Sequence, residues 1–181
     1  MKIPVKYVDA SAVLRVVFSE PGPSVPLVAG DRVVSSQLVE VETFRAVDRE
    51  RLVGHLDDAE TAVKRKELAD LLVTLDLAAI DASVIDKAKS SFAVNVRALD
   101  AIHVATAEIL AAEAEGEPLE FWTHDERQAT AAMSRGLTVR GLPDSRPLGR
   151  RSDVDALGLP QWSTKAWRDR GVAADTRGVA A

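Results

Sequence analysis

Short β-branched or aromatic runs alternate with helix-like segments along the first 142 residues of this 181-residue chain, and that alternation restricts its fold more than any other feature. The run VKYVD at 5–9 reads as a strand ending in Asp9, and ASAVLRVVF at 10–18 suits a helix up to the breaker EPGP. DRVVSS at 31–36 reads as a second strand, followed by a helix over 38–53 that carries Leu38, Val41, Arg45 and Leu52 on related faces. A longer helix is predicted over 55–75, where Leu68, Leu71, Leu72 and Leu75 recur at helical spacing and Glu60 and Lys64 form an i, i+4 pair. LAAID at 77–81 is the next predicted strand. Helices follow at 83–94, with Val84, Ala88 and Phe92 in phase, and at 99–114, with Ile102, Ala105 and Ile109 buried. LEFWTHD, ERQATAAMSRG and LTVRG close the series as strand, helix and strand.

Such alternation predicts an α/β fold with a central parallel sheet of about four to five strands and helices on both faces, because parallel neighbours need crossover connections. In that architecture functional groups gather at the carboxyl ends of the strands. Asp9 ends the first strand, Asp125 closely follows the strand containing Trp122, Glu42 lies early in the helix after VVSS, and Asp100 opens its own helix. Four acids are thereby candidates for one edge.

The chain is 46% hydrophobic and 28% charged, as a folded globular protein requires. Its net charge of -5 argues against a generally basic nucleic-acid binder, so any such partner needs a local basic patch. The acid excess belongs to residues 1–142, whereas residues 143–181 hold slightly more bases than acids. With no cysteine, disulfides and thiolate zinc sites are excluded, in keeping with a cytoplasmic location. The longest apolar run near the start, AVLRVVF, is interrupted by Arg15, so neither a signal peptide nor a membrane span is expected. From Pro143 the chain turns rich in Pro, Gly and charge and carries two tryptophans, which predicts a C-terminal extension over 143–181, loosely ordered or packed on the 1–142 domain.

The segments YVDASAV around Asp9, SSQLVEVETFRA around Glu42, RALDAIHVATA around Asp100 and FWTHDERQATAA around Asp125 together resemble the PIN-domain family, and within it the VapC-type ribonuclease toxins of bacterial toxin–antitoxin pairs. The resemblance covers about residues 5–141 in the family's order and leaves the tail unexplained. It implies a three-layer PIN-like fold, a Mg²⁺-dependent endoribonuclease leaving a 5′-phosphate and a 3′-hydroxyl, and inhibition by a cognate antitoxin whose C-terminal segment crosses the groove. It also implies a homodimer.

The residues support a metal reading on their own chemistry. Mg²⁺ and Mn²⁺ prefer hard oxygen ligands, and clustered carboxylates repel one another unless a cation neutralises them. In this reading Asp9, Glu42, Asp100 and Asp125 hold Mg²⁺ directly or through water, and water activated by the ion attacks an RNA phosphodiester. Asp9, Asp100 and Asp125 each also have a plainer role, since carboxylates at helix N-termini cap orphan amides. Glu40 competes with Glu42, and the resemblance selects Glu42 because ETFRA reproduces the family spacing. Around these acids, Ser11 and Thr123 could position ligands or serve local turns, and Arg45 could orient Glu42 or make an ordinary helix ion pair. His103 shares a face with Asp100 and reads as a structural histidine or as support for the site. His124 is expected in a loop near the groove, and His55 at the surface. Arg97, Arg127, Arg146, Arg150 and Arg151 are candidates for a basic margin facing RNA phosphates, which an acidic centre needs.

Two other functions compete. The fold could serve as a non-catalytic RNA- or protein-binding module. A phosphotransfer domain would also place an Asp after its first strand, but a phosphatase of that kind should carry a second Asp where this chain has Ser11.

Overall fold

The computed structural model describes residues 3–28, 30–114 and 116–142. The expected extension over 143–181, including Arg146, Arg150 and Arg151, lies outside the described residues. The element order is β1 (Val5–Val8), α1 (Ala10–Val17), β2 (Val33–Ser36), α2 (Leu38–Leu52), α3 (Asp58–Leu72), β3 (Asp76–Ala78), α4 (Ala82–Ala88), α5 (Ala98–Glu113), β4 (Leu119–Trp122), α6 (Glu126–Ser134) and β5 (Thr138–Arg140). All five strands run parallel in the order β3-β2-β1-β4-β5.

Strand alternation divides the core in two, since successive side chains point to opposite faces. Val8, Val33 and Trp122 face a cluster built with Val13, Val17, Val39, Val47, Leu68 and Leu72 from α1, α2 and α3. Val5, Tyr7, Val34, Leu119 and Phe121 face a second cluster with Val104, Ala107, Ala131 and Ala132 from α5 and α6. The result is three layers, helices on sheet on helices. Lys6 is the polar exception on β1. Its buried ammonium donates to Pro26 O and pairs with Asp31, tying the loop before β2 to the centre of the sheet. Among the described residues no helix is long and apolar enough to cross a membrane.

Because β2 and β4 flank β1 on opposite sides, the chain leaves β1 at the point where the winding direction reverses, and a crevice opens beyond the carboxyl ends of these strands. Asp9 follows β1 directly and Asp125 follows β4 after Thr123 and His124.

Five local expectations are corrected. The helix predicted over 83–94 ends at Ala88, since Ser90 Oγ bonds Lys87 O and Arg135 donates to Ser90 Oγ and Ser91 O, drawing this segment out of the helix. Phe92 therefore packs from a loop, beneath the Arg135 guanidinium. Glu60 does not pair with Lys64. It closes a capping box with Asp57, while Lys64 reaches Val17 O and Glu67. On α2 the buried stripe is Val39, Thr43, Ala46 and Val47, and Val41 and Leu52 are exposed. On α5, Ala105 is buried but Ile102 and Ile109 are only half-buried, because small residues let the helix sink between the sheet and its neighbours on nearly every side. The third strand is also shorter and earlier than predicted, at Asp76–Ala78.

Gly141 ends β5 with φ +97°, and a Cβ there would stand 2.7 Å from Thr123 O. Gly136, with φ +81° after α6, has open space around it. Gly136→Ala should therefore cost only the left-handed conformation, about 1–2 kcal/mol. Gly141→Ala should cost more, because it also displaces the loop carrying Thr123 and Asp125. Chemical denaturation of the two variants checks the order, and equal losses would contradict it.

Candidate functional site

Asp9, Glu42, Asp100 and Asp125 line one groove of about 610 Å³, together with Ser11, Arg45, Arg49, Arg97, His103 and Gln128. The groove lies beyond the carboxyl ends of β1, β2 and β4, and its four acids come from four different helices, Asp9, Asp100 and Asp125 at their starts and Glu42 one turn in.

Asp9 is the most deeply set, at 3% exposure. It caps α1, with Oδ1 accepting from Ala12 N at 2.8 Å, and its carboxylate also accepts from Ser11 Oγ at 2.7 Å and from Thr123 Oγ1 at 2.6 Å. Burial raises its pKa, against the lowering effects of His103, Thr123, Ser11 and Ala12. Thr123 Oγ1 has a single proton and three neighbours. With Asp9 ionised the proton belongs to Asp9, the hydroxyl accepts from Asp125 N–H at 3.1 Å, and the Gln128 amide 2.9 Å away is favourable only when it presents its nitrogen. Gln128 is buried, so this bond fixes the Thr123 hydroxyl from inside the fold.

Asp125 caps α6, with Oδ1 accepting from Arg127 N and Gln128 N. Asp100 sits in the first turn of α5 and accepts weakly from Arg97 N at 3.4 Å. Burial raises its pKa, and the negative charges of Asp125 and Glu42 add to the effect. Glu42 Oε2 accepts from His103 Nε2 at 2.7 Å, and His103 Nδ1 meets the Tyr7 hydroxyl at 2.8 Å.

The capping roles and the groove thus coexist. Glu40 is exposed and does not line the groove. Arg45 lines it but pairs with Asp48 rather than Glu42. Ser11 and Thr123 bind Asp9, and His103 binds Glu42. His124 lies beside the groove in a loop, where Nδ1 meets Gly141 O and burial lowers its pKa. His55 is exposed against Glu50, and Arg127 is exposed and outside the groove lining.

Sequence reasoning missed Gln128, Tyr7 and Arg49. Gln128 carried a signal, since Asp125 and Gln128 have capping-box spacing. Arg49 lies one turn beyond Arg45 on the face that carries Glu42. Tyr7 read only as a strand aromatic.

The donor set suits a hard dication: four carboxylates, no thiol, and repulsion that burial intensifies. Among the described residues no group of three or more His, Asp or Glu side chains converges closely enough to share one ion as they stand. Mg²⁺ does not require that, because it keeps several waters and takes one or two carboxylates directly.

The family model for the PIN domain matches residues 6–133. The chain is also 33% identical over 136 residues to Ribonuclease VapC46 of Mycobacterium tuberculosis (strain ATCC 25618 / H37Rv), an overlap covering 74% of this chain and 94% of that protein.

A carboxylate whose pKa is raised by folding stabilises the protein fully below its unfolded value, about 4, and loses that contribution as pH rises through the folded value. Asp100 is such a group. In EDTA, the stability of Asp100→Asn relative to the unsubstituted protein should therefore rise as pH increases above about 4. Urea denaturation across that range reads it, and a difference moving the other way contradicts the assigned environment.

Proposed function

This chain belongs to the PIN-domain family, as a relative of the VapC-type toxins, and we propose that it is a ribonuclease toxin that hydrolyses RNA at the groove holding Asp9, Glu42, Asp100 and Asp125. The observation that carries the reading is the meeting of these four acids in one groove at the switch point of the sheet. Mg²⁺ is the proposed cofactor, with Mn²⁺ as a substitute, held by these carboxylates directly or through water. When bound it would supply charge stabilisation at the phosphate and make water a better nucleophile.

The chain's own residues do the rest. Ser11 and Thr123 keep the Asp9 carboxylate oriented from one side, and the backbone amides of α6 do the same for Asp125. Arg45 and Arg49 on α2 and Arg97 before α5 line the same groove and can take RNA phosphates beside its acidic floor. The substrate class is a structured RNA such as tRNA or ribosomal RNA, and the products carry a 5′-phosphate and a 3′-hydroxyl.

A cognate antitoxin is the proposed inhibitor. Leu52 and Leu99 line the groove while remaining 70% and 45% exposed, an apolar rim of the kind that marks a protein interface. The active species is proposed to be a cytoplasmic homodimer.

That each acid already has a local partner, and that no three converge, favours a second reading: a PIN-like module that binds RNA or protein without turnover. Cleavage of total RNA with end-group analysis separates the two. With Mg²⁺ the protein should cleave and EDTA should stop it. Asp9→Asn or Asp125→Asn should lower the rate by on the order of 100-fold, the equivalent of about 3 kcal/mol of lost charge stabilisation. Cleavage that persists equally in both variants sinks the nuclease, and RNA binding without cleavage by the unsubstituted protein establishes the module.

A further inference from the structure

We infer that His103 is a positioning residue that aims the Glu42 carboxylate into the groove, in a relay anchored on Tyr7. The inference rests on the reading above, in which Glu42 helps hold a dication.

Glu42 projects half-buried from α2 into the groove, and among the described residues its hydrogen-bond partner is His103. A flexible three-torsion side chain at a groove wall has many orientations open to it, so a single fixed donor decides where its oxygens point. His103 provides that donor from the opposite layer. It lies on α5 at 1% exposure, its ring edge-on to Tyr7 with centroids 5.9 Å apart. Tyr7 is fully buried and stacks on Phe121 at 5.2 Å, within 7° of parallel.

Donor and acceptor counting sets the direction of the relay. An ionised carboxylate only accepts, so Nε2–H of His103 donates to Glu42 Oε2 at 2.7 Å. When the ring is neutral, Nδ1 is then an acceptor and takes the Tyr7 O–H at 2.8 Å. Burial keeps the Tyr7 phenol protonated and therefore able to donate. Tyrosine thus selects the tautomer, the tautomer presents a donor to Glu42, and the aromatic stack beneath holds all three in place. Partners of this kind to metal-binding carboxylates are worth roughly 10- to 100-fold in metal affinity or activity.

Asparagine and glutamine divide the two nitrogens between them. The amide nitrogen of Asn replaces Nδ1 and leaves Glu42 without a donor, whereas that of Gln reaches the Nε2 position.

Mn²⁺ titration of the full chain, followed by the electron paramagnetic resonance of the free ion, reads binding without turnover, and thermal melting in EDTA reads folding. His103→Asn should weaken Mn²⁺ binding about 10- to 100-fold, and His103→Gln should keep most of the affinity. Tyr7→Phe, which retains the stack on Phe121, should fall between them. Nitrogen-15 spectra of the unsubstituted protein, which need no variant, should show the His103 ring proton on Nε2. Unchanged affinity in folded His103→Asn, equal weakening of the Asn and Gln variants, or a proton on Nδ1 alone would overturn the relay. If Asp9→Asn does not alter Mn²⁺ binding, or the unsubstituted protein binds none, the metal reading itself falls and takes this inference with it.

Discussion

Bringing carboxylates together at the mouth of a parallel sheet is unfavourable in itself, and the site is organised around that repulsion. Asp9 has lost nearly all its water, and Asp100 faces Asp125 and Glu42 across the groove. The fold supplies partial compensation through backbone amides at α1 and α6, through the Ser11 and Thr123 hydroxyls, and through His103 at Glu42. These bonds hold each acid separately without cancelling the shared charge. A hard dication is the species that would.

The same groove reconciles an acidic protein with a polyanionic substrate. Its floor is anionic, but Arg45, Arg49 and Arg97 stand on its walls, so favourable charge lies where a phosphate backbone would run rather than over the whole surface. Leu14, Leu52 and Leu99 line the same groove. On the proposed reading, an RNA strand and a segment of an inhibitor would compete for this one surface of arginine and leucine around an acidic floor.

Much of this was legible in the sequence because short strands ending in acids leave a local mark. Asp9 stands directly after a β-branched run and Asp125 follows an aromatic one after Thr123 and His124, and their helix starts follow at once. Periodicity misled where burial is decided by neighbours. The apolar residues of α2 at Val41 and Leu52 face outward, while Thr43 is buried by donating its hydroxyl back to Val39 O. The early end of α4 depends on Arg135, 45 residues from Ser90 along the chain. Long-range hydrogen bonding hid the relay too: Tyr7 and His103 are 96 residues apart, and no local pattern couples them.

The account stands on a dication being held, directly or through water, among four side chains that the chain brings to one groove from separate helices. Crystals of the protein grown with Mn²⁺ and measured at the manganese absorption edge would locate it directly. An anomalous peak in the groove, within direct or one-water reach of Asp9, Glu42, Asp100 and Asp125, is the predicted result. A groove without a peak at saturating Mn²⁺, or a peak bound elsewhere, would contradict the account.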